Sequence, residues 1–186
     1  MRGDVGVEGI EVGGGIIERV EGVKDKSFGA QVALTVSPTM TVYLNGMRGP
    51  ELDGNNSDHR TILDAVVIVK GGTRWTLVAN ADRGSESNGM PSGNAVWSGI
   101  AGYARFSVTP IFALSLRGES FDDAGVRTGV DQTLREVTLT PELRLTPSLM
   151  IRADARFDHS SSPVFQKGSA LVNDQSTVLF DVLYSF

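Results

Sequence analysis

The stretch "LREVTLTPELRLTPSLMIRADARFDHS", residues 134–160, decides the fold class. Apolar and polar residues alternate on each side of the break "TPS" at 146–148. After the break, one parity is apolar: Leu149, Ile151, Ala153, Ala155 and Phe157. The other parity is charged: Arg152, Asp154, Arg156 and Asp158. Because successive side chains of a β-strand point to opposite faces, the stretch predicts two antiparallel strands with one apolar and one charged face.

The same alternation recurs along the chain. Further runs lie at 27–36, 39–48, 60–70, 73–83, 95–106, 110–121, 133–145, 148–158 and 176–186, with a weaker run near 9–20. Tight breaks ("SPT", "GGT", "VTP", "TPS") alternate with long polar ones ("GPELDGNNSDH", "GSESNGMPSGN", "DDAGVRTGVDQ", "HSSSPVFQKGSALVND"). Short turns at one end and long loops at the other are typical of a transmembrane β-barrel. The pattern predicts an all-β, antiparallel up-and-down barrel of about ten strands.

The amino-acid composition excludes several classes of protein. No apolar run approaches the roughly 18 to 20 residues of a membrane helix, whereas strands of about ten residues suit a tilted membrane strand. The chain has no Cys, which excludes a disulfide framework and a Cys-type zinc site. Seventeen basic and 22 acidic residues give a net charge of -5 without a basic cluster, so no nucleic-acid partner is expected.

Aromatic residues of the apolar parity cluster near the strand ends. We predict them to be membrane-interface anchors in contact with lipid: Phe28, Trp75, Phe106, Phe112, Phe157, Tyr184 and Phe186. The alternative is a soluble β-sandwich in which the same aromatics form the core.

Several stretches resemble one family. They are "KSFGAQVALTVSPTMTVYLNGMRGPE", "NNSDHRTILD", "SGIAGYARFSVTPIFALSLRGESFDDAGVRTG", "LREVTLTPELRLTPSLMIRADARFDHS" and the final "LYSF". Together they resemble the OmpL-like putative β-barrel porin family of bacterial outer membranes. The resemblance implies an outer-membrane barrel with a porin-like role, and it supplies no catalytic positions.

The resemblance begins near residue 16, which divides the chain into an unassigned segment or weak first strand (1–15) and a barrel (16–186). The first 15 residues contain no recognisable signal peptide. Three interpretations follow: the C-terminal portion of a larger barrel, a fragmentary reading frame, or a shortened barrel closed with about ten strands.

Charged residues of the opposite parity are the candidate pore lining. They are Arg74, Asp82, Arg105, Arg117, Glu119, Glu142, Arg144, Arg152, Asp154, Arg156 and Asp158. In a conducting barrel these charges would tune the passage of small hydrophilic solutes. In a barrel of about eight strands they would instead fill the lumen, leaving a structural or adhesive protein whose loops bind a partner. With about ten strands both interpretations stay open, and in a larger barrel conduction is favoured.

No catalytic, metal or cofactor site is expected. His59 and His159 both flank predicted loops, and Ser160 and Asp158 are only sequence neighbours of His159. The loop "FDDAGVRTG" (121–129) lacks the alternating oxygen ligands of a calcium site, so a turn closed by Asp side chains, with Arg127 paired locally, is the favoured interpretation.

The last strand, "QSTVLFDVLYSF" (175–186), has an apolar parity that ends on Phe186, with Asp181 on the other parity. A terminal aromatic strand of this form resembles the signal by which outer-membrane assembly machinery recognises its clients. We therefore expect that machinery and membrane lipids as partners, while the sequence gives no oligomeric state.

Overall fold

The computed structural model describes residues 9–17, 26–50, 55–90, 93–125 and 128–186. In this part of the chain no helix is long and apolar enough to cross a membrane. Twelve strands are described, in chain order: β1 (Gly9–Ile17), β2 (Ser27–Ser37), β3 (Met40–Pro50), β4 (His59–Gly71), β5 (Trp75–Met90), β6 (Gly93–Ser107), β7 (Phe112–Ala124), β8 (Asp131–Arg144), β9 (Leu149–Ser160), β10 (Phe165–Lys167), β11 (Ala170–Val172) and β12 (Asp174–Tyr184).

Ten of these strands form one antiparallel sheet in sequence order, from β1 through β9 to β12. The short strands β10 and β11 form a separate hairpin within the last loop. Among the described strands, β1 pairs only with β2 and β12 pairs only with β9, so the sheet has two open edges. The prediction of an all-β, up-and-down antiparallel sheet of about ten strands is confirmed. The described strands do not pair edge to edge to close it.

Three of the tight turns use the same local device. Ser37, Thr109 and Thr146 each precede a proline, and the hydroxyl of each lies within 3.3 Å of the backbone nitrogen two residues further on, which donates to it. Proline fixes φ for the turn, and the hydroxyl occupies a backbone donor that would otherwise need water. The fourth turn relies on Gly72, whose φ of 61° is the left-handed conformation that glycine adopts without strain.

The opposite end of the sheet differs from the prediction at one connection. Residues 84–94 were expected to be a long loop, but β5 continues to Met90 and β6 begins at Gly93. The indole of Trp97 covers Gly84 so closely that a Cβ at residue 84 would overlap the ring. Trp97 is 5% exposed and Glu86 is 2% exposed. This packing extends the hairpin, since glycine leaves the space that the aromatic ring fills.

The strand register keeps the apolar side chains of all ten strands on the same side of the sheet. Directly opposed residues share a face, and the pairs Val32–Leu44, Val67–Ala79, Leu116–Leu139 and Ala153–Phe180 all place apolar side chains on the same side. We call this side the apolar face and the other side the charged face. A slip of one residue at any ladder would exchange the two faces, so the register follows from the alternation in the sequence.

Candidate pore-lining face and membrane interface

The structure assigns the predicted site residues to two different sides of the sheet. All eleven candidate pore-lining residues have the parity of the charged face, including Arg74, which directly precedes β5. All seven candidate anchors have the parity of the apolar face. Whether these sets line a pore and meet lipid headgroups stays a prediction, but each set shares one face of the sheet.

The charged face of β6 to β9 and β12 carries a series of ion pairs. The guanidinium of Arg105 donates to Glu142 from Nε and Nη2, at 2.9 to 3.2 Å, across the intervening strand β7. Ser115 on β7 donates to the same carboxylate at 2.9 Å. Arg152 pairs with Asp181 on β12, with Nε 2.8 Å from Oδ2. The pairs therefore link strands side to side as well as neutralising charge.

Glu136 on β8 joins two of the predicted arginines, although it was not among the predicted site residues. Its carboxylate pairs with Arg117, and Arg156 Nη1 lies 3.6 Å from its Oε2. Arg117 also pairs with Glu119 and lies over the ring of Tyr103, 5.3 Å from the centroid. Since the Glu136 side chain is only 5% exposed, the arginines are its main compensation for lost hydration. Its polar parity was visible in the sequence, but its central position was not.

A second polar group, on β2 to β5, consists mainly of amides and carboxylates. Gln31 donates to Asn45 at 2.7 Å, and Asn45 and Asn80 both donate to Asp64. Asp64 lies directly opposite Asp82 in the register. We call these residues the amide–carboxylate row: Gln31, Asn45, Asp64, Asn80 and Asp82. Only Asp82 was in the predicted set, because single polar residues among apolar ones gave no obvious cluster in the sequence.

Beneath the last loop, a cavity opens on the charged face. Phe165 of the β10–β11 hairpin lines this cavity together with Glu119, Glu136 and Arg156. Phe121 and Leu179 also line this cavity, so its wall is partly apolar. Residues 159–174 were predicted only as a long loop. Nothing in the alternation of apolar and polar residues indicated that this loop folds over the sheet.

The loop ends are joined by buried hydrogen bonds. Asp123, which is 0% exposed, accepts bonds from the backbone and hydroxyl of Thr128, each at 2.8 Å. Gln132 donates to Thr128 at 2.7 Å and accepts from Ser160 at 2.5 Å. The expected turn closed by an Asp side chain is thus present, and it is continued into the next strands. Arg127, expected to pair locally, lies outside the described residues.

The two histidines lie at the loop ends of their strands, His59 at the start of β4 and His159 near the end of β9. His59 Nδ1 is 2.9 Å from the carbonyl oxygen of Ser57, and His159 Nδ1 is 2.8 Å from Asp174 Oδ1. Ser160 is buried and bonded to Gln132, on the opposite face from His159. Asp158 pairs with Arg156 instead. The described side chains therefore do not assemble Asp158, His159 and Ser160 into a catalytic triad.

The apolar face is exposed along its length. Val178, Phe180 and Val182 of β12 are 63%, 77% and 70% exposed. Aromatic rings meet at the turn end, where the centroids of Trp75 and Phe106 are 4.4 Å apart. A continuous apolar surface of this size is a poor surface for contact with water and suits contact with lipid. Together, the two faces define a protein of the outer-membrane β-barrel class.

Comparison with known proteins identifies the family. The model of the family described as "Putative beta-barrel porin-2, OmpL-like" matches residues 5–186, and the chain belongs to this family. The match starts earlier than residue 16, where the resemblance was expected to begin. A search of curated proteins gave no match.

A solved structure supports the fold. The anion-selective porin from Comamonas acidovorans superposes with a TM-score of 0.71 at 14% identity, covering 87% of this chain and 49% of that one. The chain thus spans about half the length of that porin. Family and fold together assign a porin-type β-barrel of the bacterial outer membrane.

Proposed function

We propose that the charged face lines a water-filled passage through the outer membrane, by which small hydrophilic solutes diffuse passively. The observation that carries this proposal is the division of the sheet into an exposed apolar face and a face of paired charges. An apolar band outside and a polar interior are what a water-filled barrel requires. The family and the fold are those of a channel protein, and we propose a channel without enzymatic activity.

The paired state of the charges determines the selectivity that we expect. Arg105, Arg117, Arg152 and Arg156 are each bound to a carboxylate of this face, so few arginines remain to attract free anions. Asp64 and Asp82 add negative charge on β4 and β5 without a described cationic partner. We therefore propose weak selectivity, inclined toward cations, rather than the anion selectivity named for the Comamonas porin.

Planar-bilayer recording tests the proposal. The folded protein should give stepwise ion conductance, and the reversal potential in a salt gradient should lie near zero and on the cation side. A folded protein that gives no steps would refute the passage, and a strongly anionic reversal potential would refute the charge argument alone.

A second candidate function is a structural or adhesive barrel with a filled lumen. The buried bonds that connect Asp123, Thr128, Gln132 and Ser160 favour it, because they hold two loops in fixed positions, as a binding surface requires. Planar-bilayer recording distinguishes the two candidate functions, because a barrel with a filled lumen would fold without conducting ions.

We further propose that the loops face the cell exterior and that β12 is the strand recognised by the assembly machinery. Tyr184 of β12, at 67%, and Phe186 just beyond the strand, at 112%, are among the most exposed side chains of the described apolar face. Phe186→Ala should lower the amount of barrel assembled in outer membranes, while Ser185→Ala, on the other parity, should not. Equal assembly of both variants would refute this role.

A further inference from the structure

Arg48 and Arg83 lie on the apolar face, where charge is unexpected, and Arg135 lies on the same face of the more distant strand β8. Arg48 on β3 is paired in register with Phe28 and Thr61, and Arg83 on β5 is paired with Leu63. Both side chains are exposed. Within the described residues, neither guanidinium forms an ion pair or a side-chain hydrogen bond. They differ in this from Arg105, Arg117, Arg152 and Arg156 on the charged face, which are all paired.

The two arginines lie close enough to act together. They are separated by strand β4 and displaced by two residues along it, which places their Cα atoms about 12 Å apart at ordinary strand spacing. Thr61 of β4 lies between them, and Leu63, 59% exposed, lies beside it. The two guanidinium groups, when extended, can thus bind the same anionic group above an apolar surface, with the Thr61 hydroxyl between them.

Their position along the strands is the second observation. Both lie about ten residues from the tight turns, in the half of each strand that is nearer the loops. The cations nearest the turns, Lys70, Arg74 and Arg144, have the parity of the charged face instead. The described turn end of the apolar face therefore presents aromatic and aliphatic side chains, whereas the loop end also presents charged groups: Arg48 and Arg83 on β3 and β5, and carboxylates such as Asp122 on the more distant β7.

A lipid with an anionic headgroup fits this arrangement. Lipid-facing arginine is strongly destabilising at the membrane midplane but nearly neutral close to an interface. Guanidinium groups bind phosphate through two parallel hydrogen bonds. We propose that Arg48 and Arg83, with Thr61, form a site for the phosphate headgroup of a membrane lipid whose acyl chain lies along Leu63. This site is separate from the proposed passage.

Native mass spectrometry of the protein in detergent micelles tests the site with dimyristoyl phosphatidic acid as the probe. The wild type should retain this lipid, and the double variant Arg48→Gln/Arg83→Gln should bind it at least tenfold more weakly. The matched control is Arg74→Gln, since Arg74 is also exposed but belongs to the charged face; its lipid binding should equal that of the wild type. If the double Gln variant fails to fold, Arg48→Lys/Arg83→Lys replaces it and should still bind several-fold more weakly, because lysine lacks the bidentate geometry.

Two further probes separate the lipid from its parts. Dimyristoylglycerol, which has the same chains and no phosphate, should not be retained, and inorganic phosphate should not displace the lipid. Equal retention of both lipids, unchanged binding by the double variant, or displacement by inorganic phosphate would each overturn the lipid site. A protein that conducts but binds no lipid refutes this site alone, and one that binds lipid but never conducts refutes only the passage.

Discussion

Replacing Ala153 with arginine tests which face of the sheet meets lipid. Ala153 lies on the apolar face of β9, opposite Phe180, and its neighbours on that face are Ile151 and Ala155. It lies near the middle of the strand, where a lipid-facing arginine costs about 2 to 4 kcal/mol. Folding in lipid vesicles, followed by urea titration, should therefore show a free energy of unfolding lower by that amount.

The matched control is Leu179→Arg on the adjacent strand. Leu179 lies opposite Asp154 on the charged face and is 51% exposed, so a new arginine there would meet a carboxylate and solvent. We expect its free energy of unfolding to change by less than about 1 kcal/mol, as for an exposed ion pair. If Ala153→Arg is as stable as the wild type, or Leu179→Arg is the more damaging of the two, the assignment of faces is wrong.

Three other substitutions test the packing and the passage. Gly84→Val should lower the free energy of unfolding by more than about 2 kcal/mol, because a side chain there overlaps the Trp97 indole; a urea midpoint equal to the wild type's would contradict this. Phe165→Ala should raise single-channel conductance, since Phe165 lines the cavity on the charged face, and an unchanged conductance would remove it from the passage. Glu136→Gln should shift the reversal potential toward anion selectivity by leaving Arg117 with one carboxylate fewer; a shift toward cations would refute that account.

The sheet and its two faces could be predicted from the sequence because the signal is local. Period-two alternation and the turn motifs at Pro38, Pro110 and Pro147 are each contained in a few residues, and they agree with one another. A shift of one residue in the register of a strand would move its apolar side chains to the other face, so the alternation favours a single register. The predicted parities of Ala153 and of Arg152 therefore match those in the structure.

Features that depend on contacts between distant residues could not be predicted in the same way. The continuation of β5 through Glu86 follows from the packing of Trp97 against Gly84, and glycine, serine and asparagine in that stretch suggested a loop. Likewise, Phe165 reaches the cavity only because the last loop forms its own hairpin. Alternation along one strand contains no information on such tertiary contacts.

The effects of mutating arginines should combine differently on the two faces of the sheet. Arginines of the charged face share a carboxylate partner, whereas Arg48 and Arg83 of the apolar face do not. Glu136 connects Arg117 and Arg156, so removing either arginine changes the environment of the other, and their effects should not be additive. Arg48 and Arg83 share no described protein partner, and their effects on stability in detergent should add. Double-mutant cycles on both pairs measure this difference. Coupling between Arg48 and Arg83 that appears only when phosphatidic acid is present would show that the lipid itself supplies the connection.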